Sequence, residues 1–344
     1  MVNPSLMPNR PLLLATAGLV VSLVATMTAC SSSTPSTPTP PSGRDLITPA
    51  QALELVRQVD AKAVQANGSL NTSLQDTFET GPAGQADDAG YVAYRANRVT
   101  GLPPFTTSAT KVYVPHQNAY PLQFLSSEVA DGKTSTGSTF KSTSVSLFVK
   151  RTSEDAWQIY YEAYSNTPTD DLKVVSPPAF ALDSDGFART LPLSRSGFAV
   201  APDHVAATVA GYMNDGTGPI APGDFTSTFR DALVSGRTTE TQQCSCHVST
   251  HMDAAMYPAY AYQLQDGSAL VFYAMLLTTG LTGGQFHSDG SGLGVLGPAK
   301  SGDYNSLSIT TLEQQVAVVP ASGNLTVLYA YEQQTTVTGG GETV

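Results

Sequence analysis

The chain has 344 residues, a formal charge of −11 and 17 basic against 28 acidic side chains. An acidic body with few clustered lysines is a poor partner for nucleic acid, whose backbone demands positive charge, and it offers anionic lipid no electrostatic adhesion. Only three cysteines are present, Cys30, Cys244 and Cys246.

Arg10 is the only charged side chain before an unbroken run of apolar or small residues from Pro11 to Ala29. Residues 1–29 therefore have the shape of a secretory signal, although the run approaches the roughly 20 residues that cross a bilayer. Cys30, preceded by Met27-Thr28-Ala29, favours the signal. The stretch resembles a bacterial lipobox, with Met27 where leucine is usual; in a lipobox the cysteine is acylated and becomes the new N-terminus. Residues 30–45 are mostly Ser, Thr and Pro and read as an extended tether, with too little apolar surface to offset chain entropy. Anchor, tether and body predict a lipoprotein on the extracytoplasmic face of the cell membrane, held to that membrane through Cys30. Losing Arg10 with the signal takes the charge from −11 to −12. Disulfides persist in that compartment, whereas ATP- or nicotinamide-dependent chemistry is out of place.

Two units follow, 46–166 and 180–336, joined by a linker at 167–179 and followed by a flexible tail at 337–344. In the first, Thr48 is a good N-cap, Pro49 suits the first helical position and Gln51 can complete a capping box. Ala52, Leu55, Val56, Val59 and Ala63 recur at helical spacing, and Gly68 can close the helix. In the second, Val205, Val209, Tyr212 and Met213 repeat the pattern and end near Gly216. Tyr120-Pro121 and Tyr257-Pro258 each precede a strand. The stretches 146–164 and 316–331 each read as a hairpin, and matches in one order support a duplication. Ala269 to Thr279 is apolar on both faces, which predicts a central covered strand. Phe180 to Ala188 reads as a short hairpin with an Asp-Gly turn. The Gly-rich stretch from Thr278 to Gly302 is expected to be a mobile loop.

The fold class is thus α+β: two similar units, each with an N-terminal helix packed on a curved antiparallel sheet. By element order this resembles the cystatin-like or nuclear-transport-factor-2-like cone. The order of lipobox, tether, ITPAQA helix, LFVKRTSEDAWQIYY, PAFALDSDGFA and YPAYAYQLQDGSALVFY also resembles an actinobacterial lipoprotein family carrying a domain of unknown function. That resemblance spans residues 45 to 335, implies an anchored extracytoplasmic protein, and supplies no catalytic residues.

The densest chemistry lies at QCSCHVSTHM, residues 243–252. Cys244 and Cys246 are expected as a disulfide in an oxidising compartment, with free thiols the alternative, since residues i and i+2 of a regular strand lie roughly 6.5–7 Å apart and need a bend to bond. Cys244, Cys246, His247 and His251 are also a candidate soft-metal or redox site for zinc or copper. On a strand the cysteines and histidines face opposite ways; on a helix Cys244, His247 and His251 share a face. Asp183-x-Asp185-Gly186 has part of a calcium loop but reads better as a turn. Gly290-Ser291-Gly292-Leu293-Gly294 misses the spacing of a nucleophile elbow, and no phosphate-cradling loop with a lysine occurs, so neither catalytic nor cofactor-binding residues are nominated. Tyrosine-rich strands line a small-molecule pocket if the sheet curls, though such rings are more often core. The expectation is a non-enzymatic binding or envelope-assembly module, with an envelope protein or a small apolar ligand as partner; the alternative is the metal-binding or redox lipoprotein.

Overall fold

The computed structural model describes residues 13–14, 46–103, 105–134, 139–165, 176–244, 246–288 and 302–342. Cys30, the tether and most of the expected linker lie outside the described residues.

The first half opens with α1 (Pro49–Ser69), where Thr48 and Gln51 form the expected reciprocal cap: Gln51 N–H donates to Thr48 Oγ1 at 3.3 Å and Thr48 N–H donates to Gln51 Oε1 at 2.9 Å. The helix runs through Gly68, and Leu70 takes the left-handed closing conformation at φ 50°. The one-turn helix α2 (Thr72–Gln75) and α3 (Gly81–Ala96) follow. A meander then runs through β1 (Thr106–Tyr113), β2 (Leu122–Thr134), β3 (Thr139–Lys150) and β4 (Gln158–Tyr164). In the second half, α4 (Val205–Asp215) is closed by Gly216 at φ 81°, where glycine alone is unstrained. A π-helical turn at Asp224–Thr228 leads into α5 (Phe229–Cys244). The strands β5 (His247–Ala254), β6 (Tyr260–Gln263), β7 (Ala269–Ser288), β8 (Gly302–Val319) and β9 (Thr326–Glu342) complete the chain.

The architecture is α+β with one large open antiparallel sheet. Its order is β2-β3-β4-β9-β8-β7-β5, with β1 beside β2 and β6 beside β7. The halves share this sheet instead of each closing a cone of its own, because the last strand of each meander pairs with the other and neither is left as an edge. The join is short: Tyr164 opposite Ala330 is its single register pair. Beside it, Glu162 N–H donates to Gln314 Oε1 at 3.1 Å, so a side chain from β8 stands in for a ladder bond.

Each half also has a side-chain amide that both donates to and accepts from one strand residue's backbone. Gln117 Nε2 donates to Gln123 O and Gln123 N–H donates to Gln117 Oε1, both at 2.6 Å. Asn214, at the end of α4, makes the same pair of bonds with Met252 on β5, both at 2.8 Å. The amide imitates a strand residue and saturates a peptide group that the ladder leaves open.

Three apolar clusters fix these layers. One lies beneath α1 and α3, with Val56, Val59, Phe78, Phe124, Phe148 and Ile159. One lies beneath α4, with Val205, Val209, Met213, Val271, Tyr273 and Leu325. The third joins the halves through Leu125, Leu147, Tyr161, Tyr262, Phe272 and Tyr329. Most of the tyrosines expected on the strands are core, with Tyr161, Tyr262, Tyr273 and Tyr329 fully buried.

Two expectations are corrected. The glycine-rich stretch is strand from Thr278 to Ser288, since Gly280 and its neighbours pair with β5 on one side and β8 on the other; residues 289–301 lie outside the described residues. The tail expected from residue 337 is strand as far as Glu342, with Val337 buried in a small cluster with Cys246, Val248, Leu281, Phe286 and Tyr304. Long-range pairing overrides the weak strand propensity of Gly at both places.

Candidate functional site

Helix α3 is built from small residues: Ala83, Gly84, Ala86, Ala89 and Gly90 are all buried. This face lets the helix come close to the sheet across the β4–β9 join. Gly81, at φ +61°, starts it where an added Cβ would meet the Tyr160 ring at 2.5 Å. Just before it, residues 78–80 run beside β4: Ile159 N–H donates to Phe78 O at 2.8 Å and Thr80 N–H donates to Ile159 O at 2.9 Å. Gln158 Nε2 holds the Asp76 and Glu79 carbonyls at 2.8 and 3.0 Å. This local strand directs Glu79 into the interior, where it is 6 % exposed.

A row of carboxyls results. Glu79 and Asp88 line a cleft of about 630 Å³ at the start of α3, together with Asp76, Gln85 and Gln158. Asp87 and Glu162, both half-buried, lie within electrostatic reach of Glu79. Glu128, from β2, and Asp60, from α1, continue the row. Asp60 also lines a second cleft, of about 430 Å³, with Arg57, Phe105, Thr107 and Thr110.

Burial is the main cause of every shift along this row, and like charge adds to several of them. Desolvation, with Asp87 and Glu162 nearby, raises Glu79 well above the usual carboxylate range. Burial lifts Asp87 to about 6, against the opposing hydrogen bond from Tyr331 Oη to its Oδ1 at 2.7 Å. Burial holds Glu162 at about 7, despite hydrogen bonds from Tyr164 and Ser146. Glu128 rises to about 9 through burial, with Asp60 and Glu162 adding to it, and Asp60 to about 6. Among the described residues the one basic side chain that lowers a member of the row is Arg95, which acts on Asp88. The row therefore binds protons more tightly than free carboxyls do, and it opens to solvent at two clefts.

The residues nominated from sequence sit elsewhere. Cys244 ends α5 and His247 begins β5, so the motif straddles a helix-to-strand junction. Cys246 is buried and disulfide-bonded. His247 and His251 are exposed on β5, on the face opposite Val248 and Met252, and His251 Nε2 lies 3.2 Å from Asp253 Oδ1. Alternation along the strand thus puts the histidines on the side opposite the buried, oxidised Cys246 sulfur, and no three His, Cys, Asp or Glu among the described residues are grouped to hold a metal ion. Asp183 is a turn residue, its Oδ1 accepting from the N–H groups of Asp185 and Phe187 at 2.9 and 3.0 Å. The carboxyl row was missed. The signals for it are Asp87-Asp88 within a helix rich in Ala and Gly, Glu162 as the one acid of β4, and Glu128 between Ser127 and Val129 in the middle of β2.

No helix among the described residues is long and apolar enough to cross a membrane. No solved structure matches the chain. A protein named "Uncharacterized lipoprotein SCO2278", from Streptomyces coelicolor, is 26 % identical over 296 residues, 82 % of each chain. A family model described as a domain of unknown function, DUF8094, matches residues 44–340. The chain belongs to this family of actinobacterial lipoproteins with a domain of unknown function.

Proposed function

We propose that the chain is held on the extracytoplasmic face of the cell membrane by an acyl group on Cys30 and works there as a non-enzymatic binding module. Its site is the cleft at the start of α3. The lipoprotein name of the Streptomyces relative and the lipobox-like Met27 to Cys30 support the anchor. The carrying observation for the site is the cleft wall itself, where Glu79 and Asp88 stand near Asp87 and Glu162 with little opposing positive charge. Such a wall costs folding free energy, and a protein keeps that cost where a ligand uses it. The Cys246 disulfide, set in an apolar cluster beside exposed histidines, supports a staple over the metal or redox reading.

A raised carboxyl beside a second carboxylate is also the equipment of a general acid, so turnover is the discriminating test. The chain, expressed in an actinobacterial host and purified in detergent, is assayed on cell-wall glycan, peptide and ester substrates. The binding reading expects an acylated Cys30, release from membranes on Cys30→Ser, and no turnover. Turnover abolished by Glu79→Gln would replace it with an enzyme.

A further inference from the structure

The chain that follows Cys30 reaches the described fold at Leu46, whose N–H donates to Gln117 O at 3.0 Å. The body is therefore tied at the loop 114–121, which joins β1 to β2. That loop is unlike the rest of an acidic chain. No Asp, Glu, Lys or Arg occurs between Lys111 and Glu128, and Asn118, Ala119, Tyr120 and Pro121 are all exposed at its tip. The segment from Phe180 to Ala188 lies against it. Ala188 N–H donates to Val114 O at 2.8 Å, His116 Nε2 lies 2.9 Å from Asp183 Oδ2, and the His116 ring stacks on Phe187 with centroids 4.0 Å apart. This contact brings Leu182, 48 % exposed, to the same corner as Tyr120, 39 % exposed. Four large apolar side chains are exposed among the described residues, and these two sit where the chain arrives from Cys30.

We infer that this corner is the membrane-facing surface of the body, with Tyr120 and Leu182 seated at headgroup level in the bilayer that holds the anchor. The inference rests on the acyl anchor at Cys30 and is independent of the cleft at α3. Residues 31–45 span about 55 Å at most when fully extended. The anchored body thus meets the bilayer at a high local concentration, and a contact too weak to recruit a free protein still forms. Tyrosine suits this layer, with an apolar ring and a hydroxyl that stays among the headgroups. Two side chains fall far below the roughly 800 Å² per partner of a stable protein interface, whereas a bilayer needs no matching shape. On the adjoining turn, Asp183 accepts from the N–H groups of Asp185 and Phe187 and faces His116. Asp185 is exposed, and its charge keeps the seat shallow. The adhesion is apolar, so salt leaves it intact.

The test reconstitutes the full acylated chain into phosphatidylcholine vesicles that carry a quenching spin label on the headgroup. Trp157, the one tryptophan, is first replaced by Phe. The reporter is then Leu182→Trp, and the control is Val234→Trp on α5, an exposed position beside β5 at the opposite edge of the sheet. The Leu182→Trp fluorescence should be quenched about threefold more strongly than the control, at low and high salt alike. Adding Tyr120→Asp should remove most of that quenching while the chain still floats with the vesicles. If Tyr120→Asp does not fold, Ala119→Asp at the same exposed tip makes the same test. Equal quenching of the two reporters, quenching lost in high salt, or quenching indifferent to the loop variant would overturn the proposal. So would cross-linking between Leu182→Cys chains in unlabelled vesicles, which would put a second copy on the patch. A chain that floats unquenched removes this surface alone, whereas one that does not float removes the anchor as well, so the two failures are distinguishable.

Discussion

The two helix–sheet interfaces share a layout and differ in what fills them. Beneath α4, Val205, Val209, Ala210 and Met213 meet Val271, Met275, Val319 and Leu325, and the polar groups buried on that sheet face are Glu313, opposite Met275, and Gln315, whose Oε1 accepts from the Tyr273 hydroxyl at 2.7 Å. Beneath α3, small residues hold the helix close to the sheet, and the space left is taken by Glu79, Asp87, Glu162 and the hydroxyl of Tyr331. The first arrangement stabilises by removing apolar area from water, at about 25 cal/mol per Å². The second gives up part of that gain to keep carboxyls indoors. The first interface is mainly apolar with one buried carboxyl, Glu313, and the second gathers several.

The largest expected effect attacks the α4 side. Val209→Asp places an unpaired charge at a position with no solvent exposure and should cost about 4 kcal/mol or more in urea unfolding; a loss below about 1 kcal/mol would show that this interface is not the mainly apolar one. The opposite change on the α3 side should stabilise. Glu162, whose carboxyl is held at about 7, must ionise inside the protein at high pH, so Glu162→Gln should gain up to roughly 3 kcal/mol at pH 9 and little at pH 5. A variant less stable than wild type at pH 9 would contradict the carboxyl row as a destabilising feature.

Smaller changes sharpen the comparison where the halves should behave alike. Gln117→Ala and Asn214→Ala each remove one amide clamp from a strand backbone, and each should cost about 1–2 kcal/mol. A large inequality in equilibrium unfolding would mean that the clamps are not equivalent. The smallest effect, about 1 kcal/mol, is expected for Thr48→Ala, which loses the α1 cap; an unchanged midpoint would make the cap ornamental.

What could be read from the sequence was local. The Thr48–Gln51 box, the Asp183–Gly186 turn, Gly216 closing α4 and the two hairpins each depend on residues a few positions apart. The strand at Thr278–Ser288 was illegible because its Gly residues disfavour a strand and are held in one by pairing with β5 and β8. The site was illegible for the same reason on a larger scale. Glu79, Glu128 and Glu162 come from separate segments, and Ser146 opposite Glu162 and Ser144 opposite Glu128 are register facts of the folded sheet. A lone acid in a strand looks like a solvated face until the sheet shows that α1 and α3 cover it.

The most direct test of the carboxyl row is the unfolding free energy of the wild-type chain at pH 5 and at pH 9, measured in urea at constant salt. Asp60 and Asp87 at about 6, Glu162 at about 7 and Glu128 at about 9 all lie above their unfolded values. The native state therefore holds more protons than the unfolded chain, and stability must fall as pH climbs through that window. The account predicts a clearly more stable protein at pH 5. Equal stability at the two values, or greater stability at pH 9, would contradict it.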